Sequence, residues 1–171
     1  MWYNKKDNWV ISYFLCYNYS VIKMNKYYKL IEENASDILY NKNFISQKNY
    51  IQHSNVSIYD HTINVAIYAL RIVEKFKIKV DRKTLIRGCL LHDYFLYDWH
   101  EKDKSHNWHG FIHAKRALIN AEKEFELNKI EKNMIYTHMF PLNMRIPKYK
   151  ESIILCLSDK ICATKEIFRR G

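Results

Sequence analysis

The stretch CLLHDYFLYDWH, residues 89–100, carries an apolar segment straight into an adjacent histidine and aspartate, His92 and Asp93. A carboxylate buried without a partner costs several kcal/mol, so this one calls for a basic side chain or a metal ion. The same side-chain types recur on other apolar stripes. His61 follows Ile58 by three residues and precedes Val65 by four, His113 stands one turn before Ala117, His138 lies four after Met134, and Asp159 lies four after Leu155. A single histidine on an apolar face is more often a hydrogen-bonded core residue than a ligand. Imidazoles and carboxylates aimed together at one core are the ligand types that manganese, iron and magnesium use. Helix bundles commonly build such sites from inward side chains of facing helices. The set therefore points to a metal centre.

The elements that must position these groups read as helices throughout. Ile58, Val65, Ala66, Ala69, Ile72 and Val73 recur at helical spacing, and Ser57-Ile58-Tyr59-Asp60 fits the capping signature that opens a helix. Asp81 is the expected N-cap of a second helix through Leu85, Ile86, Cys89 and Leu90, ending at the His-Asp pair. An irregular charged and aromatic loop is expected from Tyr94 to about Phe111, and a third helix from His113 with Ala114, Ala117, Leu118, Ala121 and Phe125 as its stripe. Asn128-Lys129-Ile130-Glu131 should open a fourth, running through Met134, Ile135 and Met139 until Pro141 stops it. A last helix carries Ile153, Ile154, Leu157 and Ile161, with Leu155, Cys156, Cys162 and Ala163 also apolar.

Composition sets the outer limits. The 171 residues suffice for one domain with a real core, and 3 Gly with 2 Pro favour long helices over a many-turned β fold. The net charge of +10 suits anionic ligands such as nucleotides or polyphosphates, although a lysine-rich composition alone would produce it. Cys16, Cys89, Cys156 and Cys162 form no C-x-x-C pair, which argues against a zinc ribbon or disulfide framework and for a reducing, cytoplasmic setting. The segment WVISYFLCYNYSVI falls short of the roughly 20 apolar residues that a membrane span needs, so no membrane association is expected.

The ordered set His61, His92-Asp93, His113, His138 and Asp159 resembles the HD superfamily of metal-dependent phosphohydrolases, all-helical domains named for their adjacent His-Asp ligands. DHTINVAIYA is similar to that family's first ligand helix, RGCLLHD to its second, HAKRALINA to the segment that supplies a ligand in two-metal members, and LCLSDKICA to the closing aspartate. Gln52-His53, Ser57 and His61 look especially like small bacterial HD hydrolases. The resemblance covers roughly residues 50–165 and implies an all-α, HD-domain helical bundle, expected over residues 28–171. Separately, Met24 offers an alternative start, and residues 1–27 are expected to be an N-terminal extension that is poorly packed or not native. The resemblance implies His61, His92, Asp93 and Asp159 as core metal ligands, His113 and His138 as completing a second position, and Asp93 as the bridge. His109 competes with His113 four residues on and otherwise faces substrate; His53 and Lys160 are further substrate-side candidates. Where many relatives carry a glycine and a lysine after the pair, this chain has aromatics and Asp98.

The implied chemistry is hydrolysis of a phosphoester by a water activated on divalent metal, two ions of iron or manganese, with magnesium, nickel or cobalt as substitutes. The implied partner is a small phosphorylated molecule such as a nucleotide, with a homo-oligomer possible. Two rival readings use the same residues: a mixed-valent di-iron oxygenase on the HD scaffold, and a basic helical module that binds nucleic acid without catalysis. No helix-turn-helix or other nucleic-acid motif supports the last.

Overall fold

The computed structural model describes residues 26–95 and 109–168. A first helix, α1, covers 26–39 and places Tyr27, Ile31, Ala35 and Ile38 in the core. Tyr27 is packed there just ahead of the expected boundary at residue 28; the expected extension over 1–25 lies outside the described residues. Then follow α2 (Lys42–Ser46), a short 3-10 turn, the strands β1 (Ile51–His53) and β2 (Val56–Ser57), and the long helix α3 (Ile58–Lys75). The bundle is completed by α4 (Arg82–Leu91), α5 (His109–Glu124), α6 (Lys129–Thr137) and α7 (Lys150–Phe168).

The helix starts are where the capping residues place them. Ser57 Oγ accepts from Asp60 N at 3.1 Å and donates to Asp60 Oδ2 at 2.7 Å. Asp81 Oδ1 accepts from the amides of Lys83 and Thr84 at 3.0 and 3.4 Å. Asn128 and Glu131 form a complete capping box, each side chain taking the other's backbone amide at 2.9 Å. Such caps satisfy amides that a helix leaves without internal partners.

Among the described residues the fold is all-α apart from one antiparallel β pair, in which Ile51 faces Ser57 and His53 faces Val56. A purely helical reading misses this hairpin because its strands are too short for alternation to show. Its Ser54 takes the left-handed backbone conformation, φ 54°, that a tight turn demands.

Helices α4 and α6 run side by side in the same direction. Arg87 on α4 meets Glu131 on α6 at 3.1 Å, and the rings of His92 and His138, just past the two helix ends, are 4.9 Å apart. Between these points a Cβ on Gly88 would come within 2.5 Å of Met134 Sδ, so a glycine permits the close approach. Helix α5, connecting them in sequence, packs against α6.

Several expected boundaries and faces differ. Helix α5 begins at His109, a turn before His113, and the rest of the expected loop, 96–108, lies outside the described residues. Helix α6 ends at Thr137, short of Met139, and His138 is its C-cap. On α7 the stripe through Ile153 and Leu157 faces outward, 57% and 50% exposed, whereas Ile154, Leu155, Ser158, Cys162 and Glu166 face the core. That helix is apolar on nearly every side, so periodicity could not choose its face. No helix among the described residues is long and apolar enough to cross a membrane.

Candidate metal centre

The chain delivers its imidazoles and carboxylates by different local devices. His61 comes from the first turns of α3, His92 and His138 cap the C-termini of α4 and α6, His113 comes from α5, and Asp159 from the middle of α7. Asp93 follows α4 directly. Its backbone carbonyl accepts from the buried Gln47 amide at 3.0 Å, which also reaches Phe95 O at 3.3 Å. Except for Asp159, which keeps 13% side-chain exposure, these groups are buried.

They converge around the carboxylate of Asp93. Oδ2 lies 3.3 Å from His92 Nε2 and 4.0 Å from His61 Nε2, and Oδ1 lies 3.3 Å from His138 Nε2 and 3.5 Å from His113 Nε2. Asp159 Oδ1 closes the first group, 3.2 Å from His61 Nε2 and 3.7 Å from His92 Nε2. In the second group His113 Nε2 and His138 Nε2 are 2.8 Å apart. Each oxygen of one carboxylate thus faces its own pair of imidazoles.

The outer nitrogens determine what the inner ones can do. His92 Nδ1 donates to Cys89 O and His138 Nδ1 to Ile135 O, both at 2.8 Å, while His61 Nδ1 lies 2.7 Å from Glu166 Oε2. A ring that spends its Nδ1 proton on an acceptor presents the Nε2 lone pair, the arrangement typical of metal-ligating histidines. His92 Nε2 and Asp93 Oδ1 are buried with no hydrogen-bond partner. Such orphaned acceptors are costly unless something cationic meets them.

Divalent metal fits the donors. Ligand atoms about 2.1 Å from a shared octahedral ion lie roughly 3 to 4.2 Å from one another. His61, His92 and Asp159, and separately His92, Asp93 and His138, each offer donor atoms within 4.8 Å of one another. The charges are arranged to match. Burial would lower the His61 pKa, but Asp159 and Glu166 outweigh it and raise it to about 9. Burial likewise opposes ionisation of His92, which the adjacent Asp93 and Asp159 hold well above its ordinary value. Burial would raise the Asp93 and Asp159 carboxyls; instead the surrounding histidines hold both well below the usual carboxylate range. Dense negative charge is here balanced by protons, the role a divalent cation would take.

The HD domain family model matches residues 58–164, which spans every one of these donors. The chain belongs to the HD-domain family. No curated protein and no solved structure matches it. The match fixes the coarse class, that of a superfamily of metal-dependent hydrolases, and the HD pair in this chain is His92-Asp93.

All of His61, His92, Asp93, His113, His138 and Asp159 therefore meet in one place. Lys160 does not point into the cluster; its ammonium donates to the backbone carbonyls of His138 at 3.2 Å and Cys156 at 3.4 Å. His53 lies in β1 and His109 opens α5, and both side chains lie outside the described residues. Sequence reasoning assigned no role to Gln52, which donates to Asp93 Oδ2 at 2.6 Å, to Gln47, or to Glu166. Glu166 did carry a signal: it falls seven residues after Asp159, two helical turns along the same face.

Proposed function

We propose that this protein is a metal-dependent phosphohydrolase or phosphodiesterase acting on a nucleotide or another small phosphorylated molecule. The observation that carries this reading is the division of Asp93, whose Oδ2 faces His61 and His92 while Oδ1 faces His113 and His138. A carboxylate presented in this way suits a bridge between two cations. His61, His92, Asp159 and Asp93 would hold one, and His113, His138 and Asp93 the other.

A divalent ion held there supplies a Lewis acid that acidifies water and neutralises phosphoryl oxygens. The protein's own groups supply the rest. Gln52 fixes the rotation of the Asp93 carboxylate through its 2.6 Å hydrogen bond, and Gln47 pins the backbone at Asp93 and Phe95. Burial of the imidazoles keeps the donor set dry and prearranged. His109 and His53 are the candidates for contact with substrate, whereas the Lys160 ammonium is held by the carbonyls of His138 and Cys156. A reducing, cytoplasmic setting agrees with Cys89, Cys156 and Cys162, all buried and free of disulfides.

Metal analysis of the protein after anaerobic reconstitution with Mn(II) or Fe(II) tests the reading, followed by a phosphoester panel. About two equivalents, with turnover in the absence of oxygen, are expected. Oxygen-dependent chemistry without phosphoester turnover would favour the oxygenase alternative, and a folded protein that takes up no metal would sink the enzyme reading.

A further inference from the structure

Behind His61, on the side away from Asp93, the structure holds a carboxylate that the proposed hydrolysis does not use. Glu166, near the C-terminal end of α7, is 4% exposed. Its Oε2 lies 2.7 Å from His61 Nδ1, and its Oε1 accepts from Asn64 Nδ2 at 3.3 Å. Asn64 is three residues beyond His61 on the same helix, so α3 both offers the imidazole and steadies the group that holds it.

The other helix-end histidines are anchored differently. His92 and His138 bond to carbonyls three residues back in their own chain, Cys89 O and Ile135 O, which are neutral acceptors at the ends of α4 and α6. His61 stands in the opening turns of α3, whose carbonyls are committed to the helix that follows. An acceptor for its Nδ1 must come from another element, and α7 provides a charged one. A carboxylate bonded to the outer nitrogen fixes the ring's tautomer and rotation and makes the inner nitrogen a stronger donor.

We propose that Glu166, steadied by Asn64, is a positioning residue for His61, and that it strengthens cation binding on the Asp159 side of the cluster relative to the His113 and His138 side. The inference rests on the proposed metal centre. Glu166 touches neither the cation nor substrate; it acts through the imidazole.

The test is titration of the full chain with Co(II), followed by visible absorption, which reads affinity and coordination together. A His138→Ala background isolates the Asp159 side. In that background Glu166→Ala is expected to weaken Co(II) binding by about 10- to 100-fold and to shift the absorption band. Glu166→Gln, which keeps an acceptor for Nδ1 but removes the charge, should fall between Glu166→Ala and the parent and carries the test if the alanine variant does not fold. In a His61→Ala background, which removes the imidazole that Glu166 holds, Glu166→Ala should leave the remaining Co(II) affinity within about threefold of that background's value. Variants that bind Co(II) like their parent, with the same spectrum, would overturn the Glu166 role alone. A parent protein that takes up no Co(II) would overturn the metal reading with it.

Discussion

Two charge clusters lie along the same pair of helices, one reaching out to the exposed Asp37 and one buried, and they are built on opposite plans. At one end, Arg87 donates from Nε to Glu131 Oε1 at 3.1 Å, from Nη1 to Asp37 at 2.5 and 2.8 Å, and from Nη2 to Glu126 O at 3.3 Å. Glu131 in turn accepts the Asn128 amide of its own capping box. At the other end, His92 Nε2 and Asp93 Oδ1 are left with no hydrogen-bond partner. The Arg87 cluster is saturated by its own members and needs nothing more. In the Asp93 cluster the outer nitrogens of His92 and His138 are bonded to carbonyls of their own helices, and inner atoms crowd the carboxylate without completing its hydrogen bonds. Burial of polar groups is therefore no mark of function by itself; what distinguishes the second cluster is that buried polar atoms at its centre are left without a partner.

Substitutions at each end should separate the two plans. Asp93→Ala is expected to have the largest effect, removing the group shared by both halves of the cluster. Metal content should fall to near zero and phosphoester turnover by about a thousandfold or more, with helicity retained by circular dichroism. A variant still holding its full metal complement would show that Asp93 is no bridge. Arg87→Ala should act on stability instead, because it strands the buried Glu131 carboxylate. A loss of about 3–5 kcal/mol is expected in chemical denaturation, with metal stoichiometry unchanged in whatever fraction remains folded. If it emptied the metal centre without destabilising the chain, the distinction between the clusters would fail. Between them, Gly88→Ala should have the smallest effect. Its Cβ would displace the flexible end of Met134, costing about 1–3 kcal/mol and leaving stoichiometry at the cluster intact.

Much of this arrangement was legible in the residues. Ser57, Asp81 and Asn128 announce their helices because capping is a local matter of one side chain and the amides just beyond it. The convergence of His61, His92, Asp93, His113, His138 and Asp159 was legible as an ordered set, although no local rule brings them together. Long-range hydrogen bonds were not. Gln52 reaches Asp93 across a sequence separation of 41 and Glu166 reaches His61 across 105; helical spacing puts Glu166 on the face of Asp159 but does not name its partner. Glu166 also resembled the charged, solvated turn that ends many helices. The face of α7 was illegible for a different reason: with Ile153 and Leu157 apolar but outward, its hydrophobicity has no clear direction, and only packing decides.

The parallel course of α4 and α6 has an electrical consequence. Helix α4 stops at Leu91 and α6 at Thr137, each immediately before a histidine of the cluster. Each helix end carries roughly half an elementary negative charge from its aligned peptide dipoles. Two such ends, with Asp93, Asp159 and Glu166, make a pocket of negative potential inside a chain whose net charge is +10. In the proposed metal centre that field would favour a cation before any bond to it forms. Under the proposed function a phosphate would follow the cation, because the bare cluster carries potential of the phosphate's own sign. The proposed order of assembly, cation and then anion, would thus follow from the direction in which the helices run.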